Sequence, residues 1–343
     1  FVFLPALALL WLYSVYVGPF VDHGVDLFRH MTDVQDALFH MQKTGGHLLD
    51  ETKNIGTSNH LIHILSALFA YHFDLSGMEL VPRLSFVYSL VWTFTIFFFA
   101  RFIFATLCPT PIGATLLSYI STIFYWITFG INSFSFPRYY FASPSILAYC
   151  GFLTLLSVGL YMYSVGHFSR RLTMLGLAIG TTIFYLHPQE LMLACLMFGV
   201  ISILCVVKSS VGLNWFSDIA QTKDTKRFSV ILLAAAFILI CVVIAANDRD
   251  LATTVRLLNI GPWLPFVETA YILKPSFQFY TVLGWWGMAV YLIAVINGGR
   301  IVQSGLLTAT LIFPLVTVFN PLFVEAFLRI QNSLTLWRAL YAL

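Results

Sequence analysis

Two adjoining stretches decide how the chain folds: Phe1-Val-Phe-Leu-Pro-Ala-Leu-Ala-Leu-Leu10-Trp-Leu-Tyr-Ser-Val-Tyr-Val-Gly-Pro-Phe20, and then Val21-Asp-His-Gly-Val-Asp-Leu-Phe-Arg-His30-Met-Thr-Asp-Val-Gln-Asp36. The first is almost wholly apolar and long enough to cross a bilayer, since about 20 residues of helix span the hydrocarbon core. The second opens a polar segment, Val21 to Arg83, that holds eight of the fifteen acidic residues and seven of the nine histidines. The chemistry is therefore expected in this segment, beside a membrane.

Composition agrees. The chain is 59% hydrophobic and 10% charged, with a mean hydropathy of +0.86, against roughly 25% charged residues in soluble proteins. An all-α, polytopic integral membrane protein is expected. Its net charge of +3 is small and dispersed, with no long basic run, so no nucleic-acid partner is indicated. Cys108, Cys150, Cys195, Cys205 and Cys241 lie in or at the ends of apolar runs without a CxxC pair, so neither a disulfide framework nor a zinc site is indicated. Phe1 to Phe20 lacks the basic start and small-residue cleavage site of a signal peptide. It reads as the first membrane helix of a chain expected to be incomplete at both ends.

Further apolar runs follow at 60–73, 84–107, 112–131, 143–165, 172–186, 191–207, 228–246, 278–297, 304–319 and from 322 onward, implying about ten transmembrane helices. Short Lys- and Arg-rich loops stay cytoplasmic, which places Arg170-Arg171, the Lys208 to Arg227 loop and Arg300 inside. Phe134–Ser143, His187–Glu190, Asn247–Ser276 and Asn320–Ile330 then fall outside. Carried back to the start, this count leaves the run 60–73 beginning and ending on one side. Fourteen helical residues extend about 21 Å, short of the roughly 30 Å core, so a non-spanning, interfacial or re-entrant helix is expected there. The resulting organisation is an N-terminal module, 1–107, whose external loop 21–59 carries juxtamembrane helices, and a remainder, 108–343, with a second external loop at 247–277.

No acidic residue lies between Leu84 and Gln189, so carboxylate chemistry falls to the first loop. On a helix Asp22, Asp26 and His30 share one face, Asp33 lies close to His30, and Asp36 lies further round. Carboxylates beside an imidazole suit a general base that takes a proton from an acceptor hydroxyl. They also suit a divalent cation, although neither HExxH nor an EF-hand spacing is present. A solvated juxtamembrane face is the plain alternative.

The succession of a first membrane helix, Asp26-x-x-x-His30, Gly45-Gly46, Asn59-His-Leu-Ile-His-Ile-Leu-Ser-Ala-Leu-Phe-Ala70 and Arg83 opening a long helix resembles the N-terminal module of GT-C membrane glycosyltransferases. The resemblance covers residues 1–107 and lies in layout more than in identical residues. It implies a polyprenyl-phosphate sugar as donor, a glycan, lipid or protein as acceptor, and an acidic residue of the first external loop as base or acceptor-positioning group. Asp26 matches that position best and Asp22 competes with it, with His30 and Asp33 assisting. It leaves room for a divalent cation, Mg or Mn, without assigning ligands.

Later residues are candidates for substrate binding. Arg138-Tyr139-Tyr140 offers a bidentate phosphate contact beside two aromatic rings, or an interfacial anchor. His187 and Glu190 form an ionisable pair at a helix end, where burial is costly and function is the default reading. Arg329 or Arg338 could clamp a lipid-linked phosphate as negative charge builds on the leaving group, while Arg338 also fits simple snorkelling. The simplest home for such a layout is a bacterial inner membrane with the active site facing outside. Two other classes compete: a secondary transporter or flippase, which would carry mid-helix charges and paired broken helices, and a non-catalytic scaffold subunit.

Overall fold

The computed structural model describes residues 24–43, 60–127, 144–166, 168–211, 289–296 and 305–317 with a few isolated positions, and at 24–29, 60–61, 82, 85–86, 89, 106, 124–127, 188–189 and 208–211 it describes the backbone alone. Every regular element among them is helical: α1 (Gly24–Lys43), α2 (His60–His72), α3 (Gly77–Leu107), α4 (Pro111–Ile127), α5 (Pro144–Val165), α6 (Arg170–Leu186), α7 (Pro188–Val211) and α8 (Gly305–Val316). The all-α expectation holds for these residues. Helices α5 and the Glu190–Val207 part of α7 are long and apolar enough to cross a membrane. Stretches of α2, α3 and α4, and α8 itself, are apolar but shorter.

The chain divides into two compact units interleaved in sequence: Phe1–Ile127, Ser135–Ser157 and Met174–Met192 form one, and Thr128–Phe134, Val158–Thr173 and Leu193–Leu343 the other. In the first unit α1 is amphipathic. Met31, Val34, Leu38 and Met41, spaced three and four apart, are buried, while Thr32, Asp36 and Phe39 face outward. That spacing is one face of a 3.6-residue helix. The stripe packs against Ala67 and Ala70 of α2, both fully buried, and against Leu80 and Val81 at the start of α3. Alanines on the partner bring the two backbones close, which is what lets short polar side chains at the edge of the stripe meet.

The turn from α2 to α3 is closed by local chemistry. Asp74 takes the left-handed conformation (φ 51°), which Asp tolerates better than most residues. The Leu75 amide reaches back to the Ala70 carbonyl at 2.9 Å, the long bond of a Schellman ending. Helix α3 then starts with a capping box, Ser76 and Glu79 each satisfying the other's backbone amide. Next to it, the Gly77 amide donates to the Gln35 side-chain oxygen of α1 at 2.8 Å. A side chain on Gly77 would lie 3.0 Å from backbone atoms of Met31 and Gln35, so glycine here suits the close approach of the two helices.

A second apolar cluster joins Ile62 of α2, Tyr88 of α3, Ala148 of α5 and Ile183 and Leu186 of α6. Trp92 of α3 packs against Tyr149 of α5 with ring centroids 4.9 Å apart and planes tilted by 38°. The Arg101 side chain donates to Thr115 across the α3–α4 turn at 3.0 Å. In the second unit Tyr163 exchanges hydrogen bonds with Ser202 (2.8 Å) and Ser229 (3.3 Å), all three buried. Hydroxyls within apolar helices, such as Ser118, Thr122, Thr154 and Ser157, donate to the carbonyl four residues back, satisfying polar groups where neither water nor a cross-helix partner is needed.

Gly77→Val forces a branched side chain against immovable backbone and is expected to lower stability by about 1–3 kcal/mol, read as a lower thermal unfolding midpoint in detergent. The capping box titrates. Bonding to the Ser76 backbone amide, then to its side chain, holds the Glu79 carboxyl below its ordinary range. Its stabilising contribution is therefore present above the unfolded pKa and disappears as pH falls through the lower folded one. The unfolding midpoint of Glu79→Gln should lie below wild type at neutral pH, and the two should converge in acid.

Candidate functional site

Helix α1 continues its buried stripe one turn toward its start at His30, four residues before Val34, and α2 does the same at His63, four before Ala67. Because Val34 and Ala67 belong to one packed cluster, the two imidazoles are carried toward each other. His30 Nδ1 lies 2.9 Å from His63 Nε2, with ring centroids 5.1 Å apart and planes tilted by 40°. At 2.9 Å one ring donates a proton to the other. Asp33, one turn along α1 from His30, sets its carboxylate 3.7 Å from His63 Nδ1. That distance is electrostatic contact and falls short of a hydrogen bond.

The three side chains differ in exposure. His63 is 4% exposed, His30 is half-buried and the Asp33 side chain is 37% exposed, so the group is sealed on the α2 side and open beside Asp33. One ligand atom from each can be chosen so that all lie within 4.8 Å of one another. The arrangement can hold a proton between imidazoles under the influence of a carboxylate, or it can hold a cation.

A second polar pair borders the same apolar cluster that contains Ile62 and Leu186, the residues immediately before His63 and His187. Helix α6 ends at Leu186 and α7 begins at Pro188, whose missing amide and fixed φ suit a first helical position. His187 sits at the break. Its Nδ1 is hydrogen-bonded to the Glu190 carboxylate, and Glu190 is 1% exposed in the first turn of α7, where a negative charge is favoured by the helix dipole. The two side chains are thus paired across the break.

Among the residues singled out from sequence, His30 and Asp33 come together, and His187 pairs with Glu190. Asp26 lies on α1 one turn before His30, described in backbone only. Asp22, Arg138, Tyr139, Tyr140, Arg329 and Arg338 lie outside the described residues. His63 was not among them. Its signal was present in the sequence, an imidazole in an otherwise apolar run that must find a polar partner when buried, but the partner lies 33 residues away and helical periodicity does not reach that far.

Comparison of the chain with protein-family models, curated proteins and solved structures finds no match. The reading of the site rests on its own chemistry. Removing the imidazole in His187→Ala takes a hydrogen-bond partner from the buried Glu190 and is expected to cost about 1–3 kcal/mol, measured as a lowered unfolding midpoint. Glu190→Gln, which keeps a hydrogen-bonding side chain of the same shape, should cost less.

Proposed function

We propose that the protein is a polytopic membrane glycosyltransferase of the GT-C type, with about ten spans, transferring a sugar from a polyprenyl-phosphate donor to a glycan, lipid or protein acceptor on the external face. The observation that carries this reading is the convergence of His30, Asp33 and His63 on the helix pair that follows the first apolar run. An acid–base group beside apolar helices is what a transfer from a lipid-linked donor requires. The membrane part is supported by the two long apolar helices and by large apolar side chains left exposed on many helices, among them Phe98, Ile112, Leu177, Phe184 and Ile203, which lipid would cover.

In this reading Asp26, one turn from His30, takes the proton from the acceptor hydroxyl as that oxygen attacks the anomeric carbon. The bond from that carbon to the phosphate oxygen breaks, and the lipid phosphate leaves with the electron pair. No nucleotide is consumed, because the lipid phosphate is itself an activated leaving group. His30, Asp33 and His63 orient the acceptor side of the site, and Arg138, Arg329 or Arg338 binds the leaving phosphate. A divalent cation held near this group would offset the charge that develops on the phosphate.

A transporter or flippase is the second reading, favoured by one observation: Glu190 is buried opposite His187 at a break between helices, the kind of feature transporters build around a substrate. One assay separates the two. Purified protein is given a panel of polyprenyl-phosphoryl sugars with membrane extract as acceptor source, and free polyprenyl phosphate is measured. Wild type is expected to release it, and Asp26→Asn at equal folded amount to lose at least about 100-fold in rate. No release from any donor in the presence of added divalent ions rejects transfer in favour of transport or scaffolding. Release that survives in Asp26→Asn removes Asp26 from the role of base.

A further inference from the structure

We propose that His30, Asp33 and His63 bind one divalent transition-metal ion of the zinc class, with a coordination position left open toward the exposed side of Asp33. The inference deepens the transferase reading by naming the ligands of its cation, and its test does not depend on transfer.

Three features carry it. The donors come from two helices packed through the Met31–Val34–Leu38 stripe and the α2 alanines, so packing brings the ligands near one point before any ion arrives. On α1 the ligands stand at i and i+3, a spacing that turns a carboxylate and an imidazole toward one point, as it does in helical metal bundles. The third ligand enters from α2, so the ion would cross-link two elements and not merely decorate one. The candidate ligand atoms already lie within 4.8 Å of one another. A tetrahedral ion with bonds of about 2.0–2.2 Å separates its ligands by about 3.3–3.5 Å. The 2.9 Å gap between His30 Nδ1 and His63 Nε2 therefore opens by about half an ångström, and the half-exposed Asp33 carboxylate rotates inward.

The donor set decides which ion. Two imidazoles and one carboxylate suit zinc, cobalt, nickel or iron, whereas magnesium and calcium seek six or more oxygens and retain water. Magnesium, one of the ions expected from the family resemblance, fits this trio poorly. Three protein ligands with an open fourth position also match the arrangement of catalytic rather than structural zinc sites. Proton accounting is simple. The ring that donates across the 2.9 Å contact must free that nitrogen for the ion, and its proton moves to the other nitrogen of the same ring or to water. The hydrogen bond and the metal are alternatives for one space.

The test uses the full chain in detergent, stripped of metal by a chelator and titrated with Co²⁺, whose visible ligand-field absorption reports tetrahedral coordination. About one equivalent of cobalt should give that spectrum, zinc should abolish it by displacement, and millimolar magnesium should not. His30→Gln and Asp33→Asn should each weaken cobalt binding at least about tenfold. Both replace half-buried side chains with uncharged ones of similar size and spare the buried His63. If either variant fails to fold, wild type alone still decides, because zinc but not magnesium should raise its unfolding midpoint. Absence of the cobalt spectrum in wild type, or a spectrum unchanged in both folded variants, overturns the proposal and leaves a hydrogen-bonded histidine pair. Failure of donor release with the cobalt spectrum intact would count against transfer alone.

Discussion

The packing of α1 on α2 is the contact on which the candidate site depends. Ala67 and Ala70 present almost no side chain to α1, so the Met31, Val34, Leu38 and Met41 stripe can seat against the α2 backbone. Gly77 seats the start of α3 against the same helix at Met31 and Gln35. With three helices held by two small-residue contacts, His30 and His63 are brought within reach of each other. Apolar packing places the polar chemistry; the hydrogen bond between the rings then uses a distance already set.

Apolar surroundings also explain why the polar groups are paired as they are. A buried imidazole or carboxylate is costly without a partner, and His63 and Glu190 are each held against another ionisable side chain. Hydroxyls within the helices solve the same problem locally by bonding to their own backbone. Ionisable groups cannot do so, and they must recruit a neighbour from another turn or another helix. Two such recruitments border one apolar cluster, through Ile62 next to His63 and Leu186 next to His187. For the proposed transferase, a donor with a lipid tail and a phosphate head needs just this adjacency of apolar and ionisable surface.

Much of the helical layout was legible beforehand. The apolar run at 60–73 appears as α2, which at 13 residues extends only about 20 Å, in keeping with a helix too short to span. Runs at 84–107, 112–131, 143–165, 172–186 and 191–207 correspond to α3 through α7. Pro111, Pro144 and Pro188 each open a helix, because a residue without an amide donor belongs where none is required. The capping box at Ser76 and Glu79 escaped notice although its Ser-x-x-Glu spacing is visible in the sequence.

Sequence by itself determined the helices, the apolar character of their faces and the crowding of acidic and imidazole side chains into one segment, because these depend on hydrogen bonds and periodicities that close within a few residues. It also placed Asp33 near His30, one helical turn apart, and Glu190 near His187, three residues apart at a helix end. Only the tertiary structure decided that His63 completes the first group, that Gln35 caps α3, and that the compact units interleave along the chain. Those outcomes depend on which apolar face meets which. Many faces here are alike in hydropathy, so the choice among them is made by fit between particular side chains, such as alanines against a methionine and leucine stripe, and that fit exists only once the helices have packed.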